Sequence, residues 1–318
     1  MKAALIFLVA GGFGFSAYWV VGQTDHGEAA VHPAREAYVA PLHFVDLNVL
    51  VMGRDKYPVS GLGAAAFQVS EDGAPRTVQS VRSADGPISL CLVIDESGST
   101  KAMRQPIGDA AVALVNGLPP GSEAMVVHFA DRAFLDMPFT PVASVDETKL
   151  RQMESRGGTA LFDAVVAAEE SMVVRARQKR RALVIISDGG DNASTLSLEQ
   201  AVPRISVPGA PLLYVLGFSD DQDSSSQHFR NEETLKTLTK AGGGVTFTAK
   251  NAVQMTGMAE QISDMIGSQV VISFASADAA RSGRWHKLDV RIAGDKHEVV
   301  HAPPGLFLRG PGAGNGSN

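Results

Sequence analysis

The sequence predicts an α/β protein: a doubly wound, mostly parallel sheet flanked by short β segments. Two observations carry this. Through the middle of the chain, apolar runs of strand length alternate with stretches of helical periodicity, the pattern of parallel strands covered on both faces. Before and after that region the hydrophobic period drops to two, which marks strands with one buried face. At 318 residues the length suits about two domains.

The chain starts with Lys2 and an apolar run from Ala3 to Gly22, broken only by glycines and Ser16. A charged start and an apolar middle make a secretory signal, cut near Val20-Val21-Gly22, or an uncleaved membrane anchor. The run has the ~20 residues a bilayer span needs. Either way the remainder is expected to be exported: periplasmic, at the cell surface, or secreted. Residues 23–40 carry Gly, His, Pro and Ala without periodicity and read as a linker.

Residues 41–86 read as an N-terminal β module. Val45, Leu47, Val49 and Val51 alternate with Asp46, Asn48 and Leu50, giving a strand with one mostly buried face. Phe67-Gln68-Val69 and Val78 to Val81 flank Glu71-Asp72-Gly73-Ala74-Pro75. An Asp-Gly between extended runs signals a hairpin, because glycine tolerates the positive φ such turns need.

Residues 87–268 read as the α/β domain. Ile88 to Ile94 is apolar except for Ser89, as a central parallel strand requires. Ile107, Ala110, Ala111, Leu114, Val115 and Leu118 fall on one helical face, and Pro119-Pro120-Gly121 stops that helix. Ala124 to Ala130 is a strand, and Ala133 to Met137 a short one at an edge. Leu161, Ala164, Val165, Ala168 and Met172 mark a second helix. Arg181 to Ser187, Pro211 to Phe218 and Gly244 to Thr248 are further strands, with helices over Glu232 to Ala241 and Val253 to Ile266. In residues 269–309 the period returns to two: Gln269 to Ala275, Trp285 to Ile292 and His297 to His301 read as strands. Gly310 to Asn318 is a Gly-rich tail expected to be disordered. Each β flank is short of core, so the two are expected to pair into one small sandwich with the α/β domain inserted.

Composition narrows function by exclusion. Hydrophobic residues make up 45% and charged residues 19%, which fits a globular chain rather than a disordered one. The net charge of −6 leaves no basic footprint for nucleic acid. Cys91 lies inside an apolar strand and reads as a small buried hydrophobe. One cysteine permits no intramolecular disulfide, so cysteine usage says nothing about compartment.

The chemistry gathers in three stretches. Asp95-Glu96-Ser97-Gly98-Ser99 follows the first parallel strand, Gly157-Gly158-Thr159 precedes a helix, and Ser187-Asp188-Gly189 ends another strand. In open parallel sheets ligands bind beyond the carboxyl ends of the strands, where Asp95 and Asp188 fall. In an extended loop, Asp95, Ser97 and Ser99 point the same way. Thr159 could join the same rim, and also suits a helix N-cap. Carboxylates and hydroxyls are hard ligands that favour Mg²⁺, with Ca²⁺ or Mn²⁺ as alternatives, over zinc or copper. Two carboxylates balance a divalent charge and leave room for an outside oxygen, such as a partner's Asp or Glu.

These residues resemble a family. Asp-x-Ser-x-Ser, then Gly-Gly-Thr, then Ser-Asp-Gly is similar to the metal-ion-dependent adhesion site (MIDAS) of von Willebrand factor type A domains, which have a Rossmann-like fold. Residue by residue, Asp95, Ser97, Ser99, Thr159 and Asp188 match its five metal-coordinating positions, and Glu96 stands at a variable one. The leading segment resembles a bacterial subgroup of exported proteins carrying this domain. Phe44-Val45-Asp46-Leu47, Val59-Ser60-Gly61-Leu62, Phe67 and Glu71-Asp72-Gly73 carry that likeness, with Gly283 to Leu288 after the domain. The resemblance implies a protein that binds protein through the metal, for adhesion or assembly, and is not an enzyme.

The same residues admit other readings. A structural scaffold subunit would use the metal to support the rim. A Mg-dependent hydrolase or other enzyme would need a positioned base or nucleophile. Ser97 as an esterase nucleophile lacks the flanking glycines, since Asp95 and Ser99 stand in their places. An aspartyl phosphotransferase built on Asp95 would need Asp188, Asp191 and Lys179 or Arg180 beside it. Asp221-Gln222-Asp223-Ser224-Ser225 with Glu232 has the spacing of a calcium loop, but Ser226 stands where glycine is needed, so it reads as a solvated acidic loop. His297 and His301 are too far apart to chelate one ion. The basic run from Arg175 to Arg181 reads as a solvated connection that complements a helix dipole.

Overall fold

The computed structural model describes residues 43–82, 85–154, 157–218, 226–276, 283–294 and 298–308. The expected leader, linker and tail, the acidic stretch 221–225 and His297 lie outside the described residues. The leading flank contributes β1 (His43–Met52), β2 (Phe67–Glu71), β3 (Ala74–Arg76) and β4 (Val78–Arg82). The central region runs β5 (Ser89–Asp95), α1 (Arg104–Asn116), β6 (Glu123–Phe129), β7 (Ala133–Pro141), α2 (Glu147–Arg151) and α3 (Leu161–Arg175). It continues β8 (Arg181–Ser187), α4 (Leu198–Ile205), β9 (Leu212–Phe218), α5 (Ser226–Gly242), β10 (Gly243–Ala249) and α6 (Ala252–Ser268). The closing flank is β11 (Val270–Ser276), β12 (Arg284–Ile292), β13 (Val299–His301) and β14 (Gly305–Leu308).

The central sheet has the order β10-β9-β8-β5-β6-β7, parallel except for β7. Its continuous apolar strands follow from helices on both faces. Leu90, Leu92 and Ile94 of β5 pack with Ile107 and Leu114 of α1 and Ile262 and Ile266 of α6. Cys91 and Val93, on the opposite face, pack with Leu161, Val165 and Met172 of α3 and Leu238 of α5. Each of the Leu, Ile, Val and Met side chains contributes ~1.5–3 kcal/mol through burial. Cys91 is buried, and its thiol is pushed upward by that burial, as a core residue requires.

The two β flanks pair. One sheet, β13-β1-β11-β4, runs β1 against β11 from His43↔Ser276 to Val49↔Val270. The other, β14-β12-β2-β3, runs β12 against β2 from Leu288↔Glu71 to Ile292↔Phe67. Val45, Leu47, Val49, Phe67 and Val69 from the leading flank share one core with Ile272, Phe274, Leu288 and Leu306 from the closing flank. Neither flank has that core alone.

Several elements differ from expectation. Asp72 and Gly73 do form the turn, at φ 51° and 82°. The partner of β2 across it, however, is β3, while Val78 to Val81 crosses to the other sheet and pairs with β11. β7 reaches Pro141 and runs antiparallel at the sheet edge. Pro138 and Pro141 withhold ladder donors there, which an edge strand tolerates. α4 was not foreseen; it starts at a capping box formed by Ser197 and Gln200. β1 is covered on both faces: Asn48 and Leu50 are as buried as their neighbours, because the far face rests on the α/β domain.

That contact corrects the reading of the basic run. Arg175, Arg177 and Lys179 are exposed, but Arg180 is 3% exposed. Its guanidinium donates to the carbonyls of Gln269 (3.0 Å), Ile266 (3.1 Å), Gly267 (2.6 Å) and Gly86. One side chain therefore fastens both chain crossings between sandwich and α/β domain. Around it, Asn48 Nδ2 donates to Ala210 O (2.9 Å) and its Oδ1 accepts from Arg181 N (3.0 Å). Lys179 bridges to Asp46 at 3.0 Å. These residues lie at the amino ends of β8 and β9, so the sandwich sits against the end of the sheet opposite the strand termini that carry Asp95 and Asp188.

Candidate metal centre

The rim is assembled from the carboxyl ends of β5, β6 and β8 and the approach to α3. Asp95 closes β5 and is fully buried. Its Oδ1 accepts from the Ser97 backbone N–H (2.9 Å) and its Oδ2 from the Ser187 hydroxyl (2.6 Å). Ser187, the last residue of β8, accepts in turn from Gly189 N (2.9 Å). Ser97 Oγ lies 3.0 Å from Ser99 Oγ, and the Thr100 hydroxyl donates to Ser97 O (2.9 Å). Ser97 is buried and Ser99 exposed, so the loop leads outward from the sheet.

Asp188 follows directly and is half-buried; its Oδ1 accepts from Gly190 N (3.0 Å). Burial pushes the Asp95 carboxyl up to about 6, and the negative charge of Asp188 adds to the rise, against the hydrogen bonds from Ser187 and Ser97. A like charge beside a buried carboxylate disfavours its ionised form, and a cation would reverse that. The two carboxylates and three hydroxyls of Asp95, Ser97, Ser99, Thr159 and Asp188 are hard donors of the kind a divalent cation takes.

Thr159 is 5% exposed and is fixed through its backbone. Its N–H donates to Asn192 Oδ1 (2.8 Å), and its carbonyl accepts from Asn192 N (2.9 Å) and Ala193 N (3.1 Å). Asn192 lies in the loop that carries Asp188. The first loop is tied in by Gly98 N, which donates to Gly157 O at 3.3 Å. Thr159 is not an N-cap: that position is Ala160, without a side-chain cap. The first amides of α3 are received from across the rim, Phe162 N by Asp191 Oδ2 (3.0 Å) and Asp163 N by Ser194 Oγ (3.2 Å).

Sequence reading missed Asp131, Ser187, Asp191, Asn192 and Ser194. Ser187 stands in the Ser-Asp-Gly motif and Asp191 in the phosphotransferase alternative, but neither pattern marks them as hydrogen-bond partners of the rim. A short polar side chain in a loop looks like turn chemistry, and the backbone group it serves is remote in sequence. Glu96 is turned to His128 Nδ1, 2.9 Å away on β6, and accepts from Glu154 N (3.3 Å). The cations required by a phosphotransferase are elsewhere: Lys179 and Arg180 lie at the amino end of β8. His301 likewise belongs to the junction, its Nδ1 3.2 Å from Gly244 O.

The fold and rim define a class: a doubly wound α/β domain presenting an oxygen-rich loop cluster at its strand ends. Residues 90–190 match the family model of the von Willebrand factor type A domain. Among solved structures, a von Willebrand factor type A protein from Catenulispora acidiphila shares the fold. It is 10% identical, with 85% of this chain and 74% of that one covered, at a TM-score of 0.50. BatB from Bacteroides thetaiotaomicron is 19% identical, covering 57% of this chain and 100% of its own, with a TM-score of 0.41. Proximal thread matrix protein 1 from the mussel byssus, solved with a zinc-occupied MIDAS motif, is 16% identical. It covers 59% of this chain and 47% of its own, with a TM-score of 0.46. No curated protein matches the sequence.

Proposed function

We propose that the chain is an exported protein-binding module for adhesion or assembly, and not an enzyme. In this reading Asp95, Ser97, Ser99, Thr159 and Asp188 hold one divalent cation, Mg²⁺ in the first instance. An Asp or Glu of a partner protein supplies the missing ligand. The observation that carries the proposal is the buried Asp95 with Asp188 beside it, in a loop cluster that also holds the hydroxyls of Ser97 and Ser99. The metal supplies an electrophilic point for the incoming carboxylate. The protein's part is to fix five donors on three loops and to keep Asp95 away from water. Export rests on the N-terminal apolar run, and the domain division at 87 and 268 belongs to the same reading. Among the described residues no helix is long and apolar enough to cross a membrane.

The test uses the full chain, immobilised, with captured proteins compared in Mg²⁺ and in chelator. Capture that requires Mg²⁺ and disappears in Asp188→Ala is expected. Capture indifferent to chelator would point to the scaffold reading instead.

A further inference from the structure

The tip between β6 and β7 does more than join two strands. It is a tight connection in which Ala130 N donates to Arg132 O at 3.1 Å. From it, two groups reach the backbone on either side of Thr159. Asp131 Oδ1 accepts from Gly158 N at 2.6 Å, and Ala130 O accepts from Ala160 N at 2.7 Å. The residues before and after Thr159 are thus held by neighbouring residues of one tip, while Thr159 itself is held by Asn192.

The glycines of the second loop fit this arrangement. Gly157 has φ +76°, and a Cβ there would run into the Asp131 carboxylate. A Cβ on Gly158 would lie 2.6 Å from Asn192 Oδ1 and 3.0 Å from Asp131 Oδ1. The Gly-Gly pair leaves space for two side chains that bind the loop's own amides.

We infer that Asp131 is a positioning residue for the metal centre: its carboxylate clasps the Gly158 amide and so sets where the Thr159 hydroxyl stands. Asp131 is exposed and supports no core, so its role separates from folding. The inference rests on the metal reading above for its effect on binding, but not for its effect on the loop. A charge-assisted hydrogen bond to an amide is among the stronger ones, and outer partners of metal ligands characteristically set affinity by ~10–100-fold.

The experiment compares wild type, Asp131→Ala and Asp131→Asn as full chains. Amide exchange at Gly158 and Thr159 is followed by NMR without metal, and Mg²⁺ alone is titrated by calorimetry. In Asp131→Ala the Gly158 amide should exchange about tenfold faster or more, and the Mg²⁺ dissociation constant should rise about tenfold. Asp131→Asn, which keeps an acceptor oxygen, should restore most of the protection and most of the affinity. Unchanged Gly158 exchange in Asp131→Ala overturns the clasp. Faster exchange with unchanged Mg²⁺ affinity overturns its role at the metal. If wild type itself binds no Mg²⁺, the metal reading fails, and the exchange data alone then decide the clasp.

Discussion

The two ends of the central sheet treat charge in opposite ways. At the amino ends, against the sandwich, polar groups answer one another: buried Arg180 meets four carbonyls, buried Asn48 meets a carbonyl and an amide, and exposed Lys179 meets Asp46. At the carboxyl ends, Asp95 is buried with another carboxylate as its charged neighbour. The pKa directions follow. Burial alone would raise Asp46, but hydrogen bonds from Ser273 and Lys179 and the charges of Lys179 and Arg82 hold it below its ordinary value. Asp95 rises. The amino end is an architectural joint; at the carboxyl end two carboxylates stand side by side.

The largest effect is expected at the joint. Arg180→Ala leaves buried carbonyls on both chain crossings without a donor and should cost about 3–4 kcal/mol in denaturant unfolding. A loss below about 1 kcal/mol would mean that water or relaxation replaces the clamp, and the contrast between the two ends would weaken. Asp95→Ala comes next, with the opposite character. It should reduce Mg²⁺ affinity at least about tenfold in calorimetry while leaving the metal-free fold intact. Unchanged Mg²⁺ binding would falsify the ligand assignment.

A smaller effect separates the ends by pH. Because the folded state holds Asp46 below its unfolded value, its contribution is complete above about pH 4 and is lost as the pH falls through the folded value. Asp46→Asn should therefore cost roughly 1 kcal/mol at pH 7, a figure lowered by partial solvent screening, and almost nothing near the acid limit. A cost that persists unchanged in acid would show packing rather than charge at that position. The smallest effect is Lys287→Ala, an exposed position in the sandwich. Partner affinity, measured by surface binding in Mg²⁺, should change less than about twofold. A large loss would move the interface from the rim to the sandwich.

Much of this contrast could be read in advance at one end and little of it at the other. Asp95, Ser97, Ser99 and Asp188 stand at fixed distances from apolar runs, so strand position and hard-donor chemistry were visible together. The alternation of Val45, Leu47, Val49 and Val51 gave one face of β1, but period two reports a face and not what covers the other. Asn48 therefore looked solvent-facing. Arg180 looked like one of several surface cations because its four acceptors are backbone carbonyls, which carry no sequence signature. Asp131 and Asn192 were hidden for a related reason: their partners are amides of glycine and threonine about thirty residues away. The sandwich was expected from a shortage of core in each flank. Its strand pairing, including the crossing of the chain between sheets after Arg76, depends on long-range register that local pattern does not encode.

The pairing of β1 with β11 also decides how the molecule carries mechanical load. The described chain begins at His43, at the Ser276 end of the ladder, whereas α6 leads into Val270, at the Val49 end. A pull at His43 against the central sheet draws these antiparallel strands lengthwise past each other. The ladder bonds then share the force in shear instead of peeling one at a time.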